Sequence, residues 1–362
     1  APVPGASSGR WKMWGDSTTH IKLSRPQSDQ YVTPSLGFNV LSAHEKSMAF
    51  PHLTETIVIP NLAAPKTERG ALPCLALKCE STVMQAKLCT IGTHAEAAAV
   101  LVCLTTTGVQ LWEPLQGKKL ASVAIPESDP SLSPAERQSF CKGAVIIPRA
   151  EGKHSLIVGT SAGQLHALEA DNFRFVYDTK LEGYAHSYPI SDVSSSHEAS
   201  YLEQALPPQC TFATACEGGV ICVWDASLLN PVAEMRAPGE CITAVRLRAN
   251  LCIASTVLGK IFIFNVDSRA IIADIQAHAR ACAAIAIHPL NLVIASVSED
   301  THWVVWNLDR VEKQEIEAIA SGTVKDKMLC GVSFTGERGK DLHLAAFDSE
   351  YIFHLEGDPV PG

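Results

Sequence analysis

The sequence has no apolar run that approaches the ~20 residues a membrane-spanning helix needs. The longest candidate, 281–297, is interrupted by His288, Pro289 and Asn291. Basic residues are also scarce, at 29 against 38 acidic ones, and the net charge is −9. Because phosphate binding needs clustered lysine and arginine, we expect neither membrane insertion nor a nucleic-acid partner.

Signs of an oxidising compartment are missing as well. Neither a C-x-x-C pair nor an N-x-S/T sequon occurs, and residues 1–17 hold no continuous apolar stretch of a secretory leader. Most of the 12 cysteines lie inside apolar strand-like runs, where a free thiol behaves as a small hydrophobe. The composition therefore predicts an intracellular protein with reduced thiols.

The chain does contain a recurring sequence pattern, in which two apolar runs are joined by a turn of small or polar residues. Copies lie at 99–113, 155–169, 211–225, 251–265 and 292–307, with a weaker copy at 342–356. Each copy predicts two antiparallel strands with a tight turn. One large residue near the end of each copy marks the repeat: Trp112, Leu168, Trp224, Phe264, Trp306 and Phe353. Their spacings are 56, 56, 40, 42 and 47 residues. The shorter spacings match one four-stranded propeller blade of ~40–45 residues.

The fold predicted from these repeats is an all-β, seven-bladed β-propeller. Nearly continuous apolar strands are expected there, because both faces of each blade pack on neighbouring blades. Six blades are visible, and a weaker segment at 38–61 predicts the seventh. Residues 20–23 would add an N-terminal strand to the last blade and so remove free sheet edges. We expect one propeller domain at 20–356, an N-terminal tail at 1–19 and a C-terminal tail at 357–362.

Two insertions account for the longer spacings. Segments 126–139 and 194–208 are polar and carry proline and serine, so they predict surface loops. The first contains Ser133–Pro134, which leaves phosphorylation open, although an unmodified loop is the favoured interpretation.

Two blades resemble the WD-repeat family. Val223-Trp224-Asp225 and Val305-Trp306-Asn307 look like the terminal dipeptide of that repeat. His186 and His278, each preceded by alanine, resemble its Gly-His element.

In the WD-repeat family a histidine, a turn aspartate, a serine or threonine and the tryptophan form a hydrogen-bonded tetrad. The resemblance implies such a structural tetrad of His278, Ser296, Asp300 and Trp306. The earlier blade carries only His186 and Trp224, because Gly218 stands where the turn aspartate is expected.

Two longer segments, 275–310 and 328–355, are similar to the C-terminal part of one member of this family. The resemblance implies an intracellular propeller of degenerate WD repeats without known enzymatic chemistry. It names no binding site.

The sequence carries no convincing motif for catalysis or for a cofactor. Residues 159–163 read G-T-S-A-G, which matches the G-x-S-x-G nucleophile elbow, but that motif needs a helix where a strand continues here. No histidine or cysteine pair has metal-ligand spacing, and no nucleotide or calcium loop occurs. We therefore predict no catalytic residue, no cofactor and no metal, and a protein that is not an enzyme.

The alternative is a small-ligand-binding or hydrolytic propeller that uses its central channel. Such a site needs convergent polar groups on the innermost strands. Those strands are mainly small and apolar in this sequence, with charge only at Arg246 and Arg248.

The favoured function is a non-enzymatic scaffold or adaptor for one or more proteins. Short loops on a rigid fold display side chains at little ordering cost. A cytoplasmic location within a larger assembly, such as a cytoskeletal or ciliary complex, would suit such a protein.

Partner contacts are predicted in the tail and in the turns. Trp11 and Trp14 are apolar anchors in a Gly/Ser/Pro-bearing segment; they can meet a partner or pack back on the propeller. The other candidates lie in or beside inter-strand turns: Tyr184, Tyr188, Lys260 and Arg280.

Overall fold

The computed structural model describes residues 18–23, 32–44, 46–66, 71–91, 98–125, 139–149, 153–171, 174–178, 186–196, 212–225, 227, 230–248 and 250–357. Within these ranges the chain has 29 strands, no α-helix and two short 3-10 turns, at Val311–Lys313 and Glu337–Gly339. No helix in this part of the chain is long and apolar enough to cross a bilayer.

The first four sheets each contain four antiparallel strands in a meander, named a to d from the inside outward. The first contains β2 (Ser42–His44), β3 (Ser47–His52), β4 (Glu55–Ile59) and β6 (Leu75–Lys78). The second contains β7 (Val83–Ile91), β8 (Ala98–Thr105), β9 (Gly108–Glu113) and β10 (Lys118–Ala124). The third contains β11 (Cys141–Pro148), β12 (His154–Thr160), β13 (Leu165–Asp171) and β14 (Arg174–Asp178). The fourth contains β15 (Ile190–Ser195), β16 (Phe212–Cys216), β17 (Val220–Trp224) and β18 (Pro231–Arg236).

The remaining three sheets follow the same order along the chain, except at the end. The fifth contains β19 (Ile242–Arg248), β20 (Leu251–Thr256), β21 (Lys260–Asn265) and β22 (Ala270–Gln276). The sixth contains β23 (Cys282–Ile287), β24 (Val293–Ser298), β25 (His302–Arg310) and β26 (Glu315–Thr323). The seventh contains β27 (Leu329–Thr335), β28 (Asp341–Ala346), β29 (Tyr351–Glu356), the N-terminal β1 (Thr19–Leu23) and the short β5 (Ala71–Leu72).

The seven sheets are the blades of a closed ring. The a strands of consecutive blades contact one another, in the order β2, β7, β11, β15, β19, β23, β27 and back to β2. This arrangement confirms the predicted seven-bladed β-propeller. The blade predicted weakly at 38–61 is the first in chain order, and its d strand, β6, lies further along the chain.

The ring closes where blade 7 meets blade 1, a place we call the seam. The N-terminal β1 pairs antiparallel with β29, from Thr19 opposite His354 to Lys22 opposite Tyr351, as predicted. The structure adds β5, which comes from blade 1 and pairs parallel with the end of β1. The outer edge of blade 7 is thereby attached to blade 1.

Packing between blades explains why the strands are apolar on both faces. In β24, Val293, Ala295 and Val297 pack towards blade 7, whereas the intervening Ile294 packs on blade 5 beside Ile253. Each blade is thus sandwiched between two apolar neighbours, and the alternation of apolar and polar residues seen in half-exposed sheets is lost.

The a strands share a local irregularity. In six of the seven, the pairing register shifts just after the first residue, the mark of a β-bulge. A bulge leaves backbone groups without a partner in the sheet, and buried groups of that kind need other partners. Here several of them bond to neighbouring blades.

The central channel holds a network of such contacts around Asn39. This residue lies just before β2 with a positive φ of 52°. Its backbone N–H donates to Ala283 O of blade 6 at 3.0 Å, and its Nδ2 donates to Thr243 O of blade 5 at 3.2 Å and to Asp192 Oδ2 of blade 4 at 3.3 Å. One short segment therefore joins three blades across the channel.

A buried ion pair lies beside Asn39. Asp192, with no exposed surface, accepts from Nη1 of Arg246 at 2.6 Å and from Val245 N–H at 3.2 Å. The other guanidinium Nη of Arg246 donates to Asn39 Oδ1 at 3.2 Å. Carboxylate, guanidinium and amide thus satisfy one another beside the channel cavity, with the carboxylate fully buried.

One hydrogen bond each connects the remaining blades to this network. Lys87 Nζ of blade 2 donates to Val193 O of blade 4 at 2.6 Å, and Gly143 N–H of blade 3 donates to Gln85 Oε1 of blade 2 at 3.2 Å. Val40 N–H donates to Cys330 O of blade 7 at 3.2 Å. All seven blades therefore take part.

The meander gives the ring two faces. We call the face with the b–c turns and d–a connections the upper face, and the opposite one, with the a–b and c–d turns, the lower face. The predicted insertion at 194–208 starts too early, because Ser194 and Ser195 complete the buried strand β15; residues 197–208, and 126–138 of the other predicted insertion, lie outside the described residues.

Removing the carboxylate of the channel network should destabilise the whole ring. Asp192→Ala removes the fully buried member of the pair and leaves the half-buried Arg246 without its counter-charge, and the loss of one partner of a buried pair costs up to about 3–5 kcal/mol of unfolding free energy. Asp274→Ala, which breaks the exposed pair with Lys260, should cost less than about 1 kcal/mol. Denaturant unfolding at 25 °C measures both. Equal losses in the two variants would show that the network contributes no more than a surface pair.

Candidate functional site

Blade 6 brings together the four residues that the WD-repeat resemblance implies as a tetrad. Ser296 on β24 is the common partner: its Oγ lies 2.8 Å from Nε2 of His278 and accepts a hydrogen bond from Nε1 of Trp306 at 3.0 Å. Asp300, in the b–c turn, has Oδ1 3.6 Å from Nδ1 of His278. At that distance the contact is electrostatic rather than a hydrogen bond.

The ionisation of this group is set by burial. Burial lowers the pKa of His278 to about 4, against the opposing effect of Asp300. Although burial would raise the pKa of Asp300, hydrogen bonds from the backbone N–H groups of Ala279 and His302 lower it. At neutral pH the group is therefore a neutral imidazole beside a carboxylate that ties the d–a connection to the b–c turn.

Blade 4 repeats the arrangement without the carboxylate. Thr214 Oγ1 lies 2.9 Å from Nε2 of His186 and accepts from Nε1 of Trp224 at 3.2 Å. Thr214 was not among the predicted residues, although its place on strand b matches that of Ser296. At Gly218 a Cβ atom would overlap the ring of Tyr188, so an aspartate could not replace this glycine without displacing the tyrosine.

Three of the predicted partner contacts lie at the upper face, on neighbouring blades. Tyr188 is in the connection to blade 4 and is 57% exposed. Arg280, in the connection to blade 6, has Nη2 3.5 Å from Glu299 Oε2. Lys260, at the start of β21, has Nζ 3.2 Å from Asp274 Oδ2 and 3.9 Å from Glu240 Oε1. Lys260 therefore forms ion pairs with carboxylates of blade 5 and of the connection that leads to it. Trp11, Trp14 and Tyr184 lie outside the described residues.

Exposed apolar side chains are concentrated on the same face, a feature that the sequence interpretation missed. Among the described residues nine large apolar side chains are exposed. Six of them lie in upper-face turns or connections: Leu36, Leu53, Tyr188, Leu258, Met328 and Phe347. Of the rest, Leu115 lies on the lower face, and Val232 and Ile271 lie on d strands.

Four of these side chains belong to loops that are bonded to one another at the seam, and we call Leu36, Leu53, Met328 and Phe347 the seam patch. Phe347 N–H donates to Met328 O at 2.9 Å. The next residue, Asp348, donates from its N–H to Pro34 O at 3.4 Å. Ser35 Oγ accepts from Leu53 N–H at 3.0 Å. These bonds hold the four loops in contact.

The central channel offers little space for a ligand. Its cavity has a volume of about 90 Å³, room for a few water molecules. Arg246 faces it, as expected, but is paired with Asp192. Arg248 donates from Nη2 to Pro289 O at 3.1 Å and is not among the residues that line the channel. Lys87, which the sequence interpretation missed, is the further cation in the lining.

The G-x-S-x-G match at 159–163 lies in a turn between two strands. Ser161 follows β12 and its Oγ accepts from Phe140 N–H at 3.0 Å, and β13 begins at Leu165. The strand–turn–helix geometry of a nucleophile elbow is absent here. Among the described residues no three histidine, cysteine or acidic side chains form a group that could hold a metal ion.

Comparison with known proteins agrees with the WD-type residues of blades 4 and 6. A sequence model of the WDR54 family matches residues 76–356. WD repeat domain 54 of Rattus norvegicus is 26% identical over 266 residues, which cover 71% of this chain and 74% of the rat protein. WD repeat-containing protein 54 of Homo sapiens is 26% identical over 261 residues, or 69% and 72% of the two chains.

A similar fold occurs in a solved structure. A chain in the crystal structure of a mitotic checkpoint complex superposes with a TM-score of 0.64 and covers 98% of this chain and 96% of its own length. The sequences are only 14% identical, so this likeness concerns the fold alone.

Loss of the shared hydroxyl in blade 6 should destabilise the protein. Ser296→Ala leaves the buried Nε2 of His278 and the Trp306 N–H without their common partner, which we expect to cost about 2–3 kcal/mol. Ser321→Ala, at an exposed position of β26 in the same blade, is the matched control and should change stability by less than about 0.5 kcal/mol. Denaturant unfolding checks both. A loss below about 1 kcal/mol in Ser296→Ala would contradict a stabilising tetrad.

Acid should weaken the fold through its buried histidines. Burial lowers the pKa of His186, His278 and His288 to about 4 and that of His343 to about 3, from 6.5. Between those values the unfolded chain binds more protons, so the stabilisation is complete above about pH 6.5 and falls as the pH drops towards 4. Urea unfolding at pH 7, 6 and 5 should show this decline, with a shallower slope in His278→Gln. A stability independent of pH in that range would contradict neutral buried imidazoles.

Proposed function

The chain belongs to the WDR54 family, and from that premise we propose that it is a non-enzymatic scaffold which binds partner proteins through its upper face. The resemblance carried by segments 275–310 and 328–355 is thereby confirmed. The propeller fold of this family is consistent with a protein-interaction scaffold. The observation that carries our proposal is the concentration of six of the nine exposed large apolar side chains on one face of the described structure.

Apolar side chains that stay in contact with water are costly when they are grouped, and such groups mark interaction sites. The turns that carry these side chains are held by rigid strands. Binding a partner would therefore cost little conformational entropy in this surface. The predicted contacts Tyr188, Arg280 and Lys260 are part of the proposal, because they lie at the same face. Trp11, Trp14 and Tyr184 are proposed as further contacts on the basis of the sequence alone.

The proposal also covers the location of the protein and the assembly in which it works. We propose a cytoplasmic protein that works within a multi-protein assembly, for which a cytoskeletal or ciliary complex is one example. The eleven cysteines of the described chain are all free thiols, which supports a reducing compartment. For the alternative, a ligand-binding or hydrolytic channel, a cavity of about 90 Å³ gives no support.

Affinity capture with matched variants tests the scaffold function. The full chain should retain a reproducible set of proteins from native extract, identified by mass spectrometry. The double variant Leu53→Ser/Leu258→Ser, on the upper face, should lose at least part of that set, and Leu115→Ser on the lower face should keep it. An unchanged melting temperature in all three shows that the fold is intact.

A variant that lacks residues 1–17 examines the tail and leaves β1 complete. Loss of partners at unchanged melting temperature would assign Trp11 and Trp14 to partner binding. Retained partners with lower stability would assign them to the propeller instead. If the full chain retains no protein at all, the scaffold function is wrong.

A further inference from the structure

Blade 2 repeats the WD-type arrangement with sulfur atoms in place of the imidazole and the hydroxyl. Trp112 on β9 pairs with Leu101 of β8, and Cys103 follows two residues later, at the position of the shared hydroxyl in blades 4 and 6. Cys79 lies four residues before the a strand of blade 2, as the tetrad histidines of blades 4 and 6 do before theirs. Two thiols therefore occupy the positions at which those blades carry a histidine and a serine or threonine.

The sulfur atoms do not replace the hydrogen bonds of the other two blades. In blades 4 and 6 the hydroxyl accepts a hydrogen bond from the tryptophan. In blade 2, Nε1 of Trp112 is buried and has no hydrogen-bond partner in the described part of the chain. A thiol is a weak acceptor, so this result is expected of Cys103. The stabilising function of the tetrad does not explain why two thiols meet here.

The two thiols come together across the interface between blades 1 and 2. Oγ1 of Thr56, on strand c of blade 1, lies 3.1 Å from Sγ of Cys103 and 3.9 Å from Sγ of Cys79. Both cysteines belong to the same buried apolar cluster, in which Val58 and Leu77 of blade 1 meet strand b of blade 2. Because one hydroxyl contacts both sulfur atoms, the fold holds the thiols beside each other.

The two thiols differ in their tendency to ionise. A hydrogen bond with the Cys103 thiol lowers the pKa of Cys79, and this effect exceeds the opposing effect of burial. Complete burial raises the pKa of Cys103 well above its usual value. Cys79 is therefore the thiol that loses its proton first, and the thiolate is the nucleophilic form of cysteine.

The two thiols also differ in access. Cys79 retains 4% of its surface exposed, whereas Cys103 has none. Exposed residues, Lys78 and Glu80, flank Cys79 at the upper face. A small molecule that arrives from this face meets Cys79 first, and Cys103 is within reach of Cys79 alone. A more acidic, more accessible thiol next to a second thiol is the arrangement of a reactive cysteine and its resolving cysteine.

We propose that Cys79 and Cys103 are a redox pair, which a hydroperoxide converts into a disulfide between the connection after blade 1 and strand b of blade 2. The Cys79 thiolate attacks one peroxide oxygen, the O–O bond breaks, and the leaving hydroxide takes up the thiol proton to form water. The sulfur of Cys103 then attacks the resulting sulfenic acid, the S–O bond breaks, and the hydroxyl leaves with the Cys103 proton as a second water. Two thiols are oxidised by two electrons, and one hydrogen peroxide is reduced to two waters.

The inference goes beyond the scaffold function and does not depend on it. The protein would carry free thiols at rest, as the composition predicts, and would form the disulfide only when an oxidant is present. Cys79 and Cys103 are 24 residues apart, so the bond would close a loop of moderate length. Such a loop restricts the unfolded chain, and oxidised protein should therefore melt at a higher temperature than reduced protein.

Peptide mapping of the wild-type full chain tests the pair. Reduced protein is exposed to hydrogen peroxide, the remaining thiols are blocked by alkylation, and the digest is analysed by mass spectrometry without reduction. A peptide with Cys79 should be linked to a peptide with Cys103, the linked mass should lack two hydrogen atoms, and dithiothreitol should release both. Cys241 provides the internal comparison, because it is the one described cysteine that is not buried. It should be oxidised more slowly than the pair.

Variants assign the two roles. In Cys103→Ser the sulfenic acid has no resolving thiol, so labelling of Cys79 by dimedone should be at least about fivefold stronger than in wild type. In Cys79→Ser, dimedone should not label Cys103, because no oxidant reaches it. Cys89→Ser, which removes a buried thiol from strand a of the same blade, is the matched control and should form the disulfide as wild type does.

Three outcomes would overturn the proposal. One is oxidation of Cys241 before the pair, since exposure alone would then govern reactivity. Another is conversion of Cys79 in wild type to the sulfinic acid without a link to Cys103, and the third is dimedone labelling of Cys79 that is no stronger in Cys103→Ser. The first two are read from the wild-type chain, so they do not depend on how well any variant folds.

Discussion

The propeller depends on the way its innermost strands are tied together inside the channel. Strands at the centre of a ring converge, and their bulges turn backbone groups away from the sheet. Those groups and a few side chains, above all Asn39, Asp192 and Arg246, form bonds from blade to blade. Because Asp192 is fully buried, leaving it unpaired would cost more than the paired group contributes, so the network favours one arrangement of blades over any shifted one.

Because these bonds fix the arrangement of the blades, the outer strands need not all carry the WD-type residues. The full set of four WD-type residues occurs in blade 6, and blade 4 has three of them, His186, Thr214 and Trp224. Apolar packing on both faces of every blade supplies the rest of the stability. The connections then carry little of the stability, which suits the proposed binding of partners through the turns of the upper face.

Much of the fold could be predicted from the sequence, because the information is local. Paired apolar runs near Trp224 and Trp306 mark the b–c hairpins, and their spacing gives the blade. The channel could not be predicted in the same way: Asn39 and Arg246 are 207 residues apart, and nothing near either residue announces the other. The seam patch could not be predicted from the sequence for the same reason. Its members come from four separate loops and become neighbours only through ring closure.

Ring closure and the proposed binding surface involve the same part of the molecule. The seam patch includes Leu36, from the segment that enters the channel at Asn39. An opened ring would separate Leu36 and Leu53 of blade 1 from Met328 and Phe347 of blade 7, so the patch would be lost. A partner that covers side chains of both blades binds the closed ring alone, and it would therefore stabilise closure by mass action. Partner binding at the seam would thus reinforce the junction next to blade 7, the blade that is held together by pairing between β29 and β1, two strands from opposite ends of the chain.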